Sequence, residues 1–181
     1  MSSKQIIDEI SDTFEKFGLQ VKTATGEAEM PYEAALVDFG TDAQDRPVVL
    51  QVLHYSQDIL GAMGEDTPEE ESIDLSILSF LITVPGEIPQ EKYFEILRLL
   101  ALANKSLPLG CLNFSEVEKS VYFIYNIPIL QAIPDETSLL TILHSALFVK
   151  ETFFPAIDEV STGKSTLEAL LEEGNMVGKG V

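Results

Sequence analysis

Basic residues, histidine and cysteine are all scarce in this chain. Eleven lysines and arginines stand against thirty aspartates and glutamates, a formal charge of −19. So negative a surface repels nucleic-acid phosphates and anionic lipid headgroups, and neither nucleic acid nor membrane is an expected partner. The single cysteine, Cys111, excludes an intramolecular disulfide, and its apolar strand context predicts a buried, inert thiol. The only histidines are His54 and His144. Neither has a cysteine or histidine near enough in sequence to build a zinc site, so both are expected to be structural rings and no metal is expected. No uncharged apolar run approaches membrane-spanning length. Residues 1–17 are acidic and amphipathic, unlike a signal peptide, and a cytoplasmic protein is expected.

Apolar residues make up 45% of the 181, enough to argue for an ordered core and one domain by length. The chain is organised around residues 91–129, read as an apolar helix, a break at 104–106 and a two-stranded hairpin. Pro89 suits the start of the helix and Glu91 its positive end. Tyr93, Ile96, Leu97 and Leu100 share one face, while Phe94, Leu99 and Leu102 cover most of the rest. Such a helix should be buried on nearly all sides of a monomer or shared with a second chain. Asn104 is expected to end it in the left-handed conformation, and Pro108 cannot continue it. The hairpin turns at 115–119. Large side chains on both faces of its second strand predict cover on both, and Pro128 closes that strand.

Around this unit, Ser2 or Ser3 can cap a first helix presenting Ile6, Ile7, Ile10, Phe14 and Phe17, with Gly18 ending it. A short edge strand is possible at 19–21. Residues 32–39, 48–55 and 73–84 read as strands, and 56–71 as an exposed acidic loop. Pro134 and Asp135 start a long helix lined by Leu139, Ile142, Leu143, Ala146, Val149 and Phe153, with Pro155 as its stop or kink. Ser165 and Glu168 form a capping box for a short last helix. The expectation is an α+β fold with an antiparallel sheet, in the order α-β-β-β-α-β-β-α. Residues 1–155 form its single domain, and 156–181 an extension with a short helix and a frayed tail.

Candidate chemistry is thin. Gly163, Lys164, Ser165 and Thr166 match the end of a phosphate-binding loop, but Asp158 stands where the pattern needs glycine, and the capping box explains the serine. Asp38, Asp42 and Asp45 imitate part of a calcium loop without its glycine or closing glutamate, and read as a solvated turn. Glu65, Asp66, Glu69, Glu70 and Glu71 form an acidic cluster that could dock a basic partner, or simply solvate a loop. With no nucleophile elbow, paired carboxylates or cofactor fingerprint, the expectation is no catalytic residue, no cofactor and no enzyme.

The helix 93–103, the following Asn104-Lys-Ser-Leu-Pro-Leu-Gly110, the strand pair 111–114 and 121–128, and the amphipathic helix after them resemble the YbjN-type family of bacterial sensory-transduction regulators. The resemblance spans roughly residues 6–154, its specific part being the central forty or so, and implies the type III secretion chaperone-like fold. It further implies a small, acidic, cytoplasmic homodimer that holds a partner polypeptide segment, in a chaperone-like or regulatory role. By the same analogy Tyr93, Ile96, Leu97 and Leu100 form the dimer interface, with strand edges helping. The insertion at 56–71 and the tail after Pro155 depart from the secretion chaperones. The alternative is an acidic phosphate mimic that regulates a basic nucleic-acid-binding protein. A nucleotide enzyme resting on Gly163 to Thr166 is the third reading.

Overall fold

Residues 1–24, 33–55, 76–129 and 132–172 are described by the computed structural model. In chain order they form α1 (Ser3–Lys16), β1 (Val21–Ala24), β2 (Ala34–Thr41), β3 (Pro47–Tyr55) and β4 (Ser76–Thr83). A 3₁₀ turn (Gln90–Lys92) then leads into α2 (Tyr93–Ala103), β5 (Cys111–Ser115), β6 (Ser120–Ile129), α3 (Glu136–Thr162) and α4 (Leu167–Glu172). The fold is α+β, with a six-stranded antiparallel sheet in the order β1-β2-β3-β4-β6-β5. Four strands precede α2 where three were expected. The additional one is β1, whose polar side chains hide a ladder of backbone bonds to β2, Val21 opposite Val37 and Ala24 opposite Ala34.

Contacts divide the chain into two units. One comprises Met1–Asp38, Val49–Leu81 and Tyr125–Leu139. In it, Ser2 caps α1 and exchanges bonds with Gln5 in a capping box. Gly18 at φ +84° ends the helix, and the Leu19 N–H returns to the Phe14 carbonyl. Ile6, Ile7, Ile10 and Phe14 are buried as their spacing predicts, each burial contributing about 1.5–3 kcal/mol. Phe17 stays half-buried.

The other unit comprises Phe39–Val48, Ile82–Ile124 and Leu140–Val181. Its hairpin pairs Cys111 with Ile124 and Ser115 with Ser120. Gly110 is obligatory before it. Its φ is +69°, and a Cβ there would lie 2.6 Å from the Phe123 ring and 2.7 Å from the Ile124 carbonyl oxygen. Only one face of β6 is fully buried, through Val121 and Phe123, while Tyr122 and Ile124 opposite are half-covered. The strand also runs through Pro128 to Ile129, not stopping before it. The pairing with β5 ends at Ile124, so no ladder bond on that side is lost to the missing N–H.

Asp135 caps α3 by accepting the Ser138 N–H at 2.7 Å. The helix then continues through Pro155 to Thr162, so the proline does not stop it. Leu139, Ile142, Leu143, Ala146, Val149 and Phe153 are buried as expected. Among the described residues α3 is the one helix long and apolar enough to cross a membrane, and 39% of its most apolar window is buried inside the chain. Its buried Lys150 donates to the Phe39 carbonyl at 3.0 Å, as suits a core helix.

Candidate functional site

The second unit presents a helix surface that the sequence pattern had assigned either to the interior or to contact with a second chain. On α2, Ile96, Leu99, Leu100 and Ala103 are buried, as a helix packed on one side requires. The opposite face holds Phe94 at 75% exposure and Leu97 at 47%, with Glu91, Arg98, Ala101 and Lys105 also exposed. Of the four residues expected to form one interface, Ile96 and Leu100 therefore lie in the chain's own core. Tyr93 is half-buried, stacked edge-on against Phe114 with ring centroids 4.5 Å apart. Leu97 alone faces outward. The four do not share a surface, and Phe94, Leu97 and Ala101 do. The polar residues at 91, 98 and 105 were the signal: they recur on the Phe94 side at helical spacing, where a buried face would not carry them.

Two charged contacts hold α2 to α4. Arg98 Nη1 donates to Glu168 Oε1 at 2.7 Å, and the same guanidinium lies 5.8 Å from the centre of the Phe94 ring. Glu95 Oε1 accepts the Leu167 N–H at 2.8 Å, satisfying the first turn of α4 from outside. That bond and the Lys92 ammonium lower the Glu95 pKa. The expected Ser165 capping box does not form. Thr166 Oγ1 accepts the Ala169 N–H at 3.2 Å, making Thr166 the cap, while Glu168 is committed to Arg98.

A second apolar stripe lies on α3, where Leu147 and Phe148 are each 43% exposed. His144 and Glu151 are exposed on the same face. His144 is thus a surface residue. Phe148 is steadied by an edge-on contact with Phe153 at 5.8 Å between centroids.

The edge strand β5 is closed by one side chain. The Leu112 N–H donates to Asn104 Oδ1 at 2.7 Å, and Asn104 Nδ2 donates to the Leu112 carbonyl at 3.0 Å. Asn104 stands in for a neighbouring strand over that residue. It does not adopt the left-handed conformation expected of it, its φ and ψ being −61° and −22°. With Leu112 occupied, β5 offers a second chain little of its edge. Cys111 is half-exposed, not buried, and accepts from Asn113 Nδ2 at 3.1 Å.

The remaining candidates resolve into structural contacts. Asp42 organises the β2–β3 turn by accepting the Gln44 and Arg46 N–H groups and the Arg46 side chain at 2.6 Å. Burial pushes its carboxyl up, but those hydrogen bonds outweigh burial and hold its pKa below the ordinary value. Arg46 also donates to the buried Asp158 at 3.0 Å, as do Gln44 at 3.0 Å and Lys164 at 3.3 Å. The lysine of the loop-like Gly163 to Thr166 run is thus bonded to the aspartate that occupies the missing glycine's place. His54 is buried, its Nδ1 2.9 Å from Ser3 Oγ and its Nε2 without a hydrogen-bond partner among the described residues. Burial, then the N-terminal charge, lowers its pKa. Glu65, Asp66, Glu69, Glu70 and Glu71 lie outside the described residues. Among the described residues no His, Cys, Asp and Glu group is arranged to hold a metal ion.

No family model matches the sequence, and no curated protein matches it.

Proposed function

We propose that this chain is a non-enzymatic, cytoplasmic protein-binding module, homodimeric and chaperone-like or regulatory, that holds a segment of a partner polypeptide. The carrying observation is the exposure of large apolar side chains on two helices of one unit, Phe94 and Leu97 on α2, Leu147 and Phe148 on α3. Single exposed apolar residues are ordinary, but paired ones recurring on one helix face mark surfaces that gain from being covered. Two such stripes allow one to serve a second copy and the other a partner. The proposed relation to YbjN-type regulators and the type III secretion chaperone-like fold draws its support from the helix, hairpin, helix succession of residues 93–162.

The test compares wild type with a Leu147→Ser, Phe148→Ser variant, each tagged and used to capture polypeptides at low and high salt. A stoichiometric polypeptide held by wild type at high salt and lost by the variant is the expected result. No retained polypeptide at either salt overturns the reading.

A second reading has its own observation, the charge of −19. An acidic mimic of phosphate would bind a basic nucleic-acid-binding protein, and that partner would leave as salt screens the charges over about 10 Å at 0.1 M.

A further inference from the structure

We propose that the place on α2 held by α4 is a binding site for a partner's short helix, one with two leucines three residues apart and an acid after the first. Helix α4 is the resident occupant of that site. The assignment rests on the partner-holding reading above and goes beyond it, both in place and in the partner's chemistry. Helix α4 has only six residues, and an isolated helix shorter than about 12–15 residues is marginal in water. Its order therefore comes from what it touches. Leu167 and Leu170, 0% and 3% exposed, fall on one side of it, while Glu168, Leu171 and Glu172 are exposed.

Two neighbouring side chains of α2 build the polar part of the site. Glu95 and Arg98 are three residues apart and stand side by side on that helix. Glu95 Oε1 accepts the Leu167 N–H at 2.8 Å, a first-turn donor that a helix cannot satisfy from within. Lys92 Nζ steadies Glu95 by donating to its Oε2 at 3.0 Å. Arg98 Nη1 donates to Glu168 Oε1 at 2.7 Å. An anion thus meets the positive start of the docked helix, and a cation meets its first acid. One backbone N–H and one carboxylate are all that these contacts require. Any helix that starts on a capping residue and continues Leu-Glu-x-Leu presents both.

The attachment of α4 is separable from that of the chain before it. Lys164 Nζ donates to Asp158 Oδ2 at 3.3 Å, and the Ser165 N–H donates to the Glu159 carbonyl at 3.2 Å. The connection is therefore tied to α3 as far as Ser165. Among the described residues, the polar contacts of α4 beyond itself and its cap are those with Glu95 and Arg98. The side chains of Arg98 and Glu168 are 46% and 61% exposed, so solvent competes for both and the pair exchanges readily for an equivalent one. A partner's helix of the same pattern displaces α4 contact for contact, while α3 keeps its place. Because α4 is tethered, the incoming segment binds with an affinity reduced to the fraction of chains whose site is open.

The test measures fluorescence anisotropy of a labelled synthetic peptide of residues 163–172 with full chains. Glu168→Lys loosens α4 from the surface and should bind the peptide about threefold more tightly than wild type. Leu167→Ser with Leu170→Ser empties the site and should gain about tenfold or more. The first variant changes only an exposed side chain, so the comparison does not depend on the second one folding. A peptide of otherwise unrelated sequence that keeps the residues of positions 166, 167, 168 and 170 should bind within about threefold of the first. Adding Arg98→Glu to either variant should weaken the peptide about fivefold. A peptide with lysine in place of its glutamate at 168 should restore binding, a rescue that a folding defect cannot produce. Equal affinity of wild type and both variants overturns α4 as the occupant. Binding that ignores Arg98→Glu, or that is lost with the unrelated sequence, overturns the stated partner chemistry. No binding to any chain overturns the site alone, and leaves the polypeptide-holding reading to the capture experiment on the α3 stripe.

Discussion

Replacing Arg46 with methionine tests whether the β2–β3 turn and α3 are held by charge. The arginine lies between Asp42 and Asp158, whose side chains are 3% and 4% exposed. Removing one partner of a buried ion pair costs about 3–5 kcal/mol, because the other charge stays behind without compensation. Here the arginine itself is 34% exposed, so solvent already screens part of the attraction. Asp158 also keeps Gln44 and Lys164. The expected cost at pH 7 is therefore about 2–3 kcal/mol. Asp158→Asn preserves shape and leaves Arg46 paired with Asp42, and should cost less, about 1 kcal/mol.

The pH dependence separates this account from mere loss of packing. In the wild type the Asp42 pKa is lowered. Its contribution is therefore complete above the unfolded value of about 3.9, and is lost as pH falls through the folded value. In Arg46→Met the burial that raises the carboxyl acts without the guanidinium, so protonation relieves the variant at a higher pH than it harms the wild type. The gap should narrow between pH 7 and pH 4, as the carboxylate range is entered. Urea unfolding at both pH values, compared at equal m, measures it. A cost below about 1 kcal/mol, or the same gap at both pH values, would refute the charge argument.

Two further outcomes follow from the same structure. Asn104→Ala leaves the Leu112 N–H and carbonyl without partners, which should cost about 1–3 kcal/mol in urea unfolding and raise light scattering through the uncovered β5 edge; unchanged stability and scattering would show the cap to be idle. The folded His54 pKa is lowered by burial, so the stability linked to it is complete above about 6.5 and declines as pH falls, since the unfolded ring takes a proton first. Wild type should lose stability as pH falls below 6.5, by at most about 1.4 kcal/mol per pH unit, a slope absent from His54→Leu, and equal slopes would remove His54 as its source.

What the sequence made legible was what local pattern controls. The α1 stripe, the Gly18 stop, the hairpin turn and the lining of α3 all depend on residues within a few positions of one another. The β1 ladder was legible only as a possible edge strand at 19–21, because a strand of mixed polarity is specified by its partner's backbone. Counting apolar residues on α2 left burial all round and a helix shared with a second chain equally open, since Phe94 and Leu97 are as apolar as Ile96. Only their neighbours Glu91, Arg98 and Lys105 carry the information that this side meets solvent. The bonds from Arg46 to Asp158 and from Asn104 to Leu112 were out of reach for a geometric reason. Each depends on where a separate element returns, in one case 112 residues later. Pro155 left a stop and a kink both open, and it is not a stop, because a proline weakens a helix locally without deciding whether packing on either side sustains it.

The amide of Asn104 also bears on how sheets of this protein could grow. Hydrogen-bonded extension from molecule to molecule needs two receptive edges, one to offer and one to accept, so that every addition regenerates the starting condition. Among the described residues β5 forms one boundary of the sheet and β1 the other. With Leu112 already bonded, an arriving β1 would have to displace a bidentate contact before gaining its first bond of the ladder. Joining β5 to β1 in endless succession is thereby blocked at one terminus, as a chain terminator blocks a polymer. Pairing through the β1 edge alone closes on itself at two molecules, so one side chain limits hydrogen-bonded growth of the described sheet.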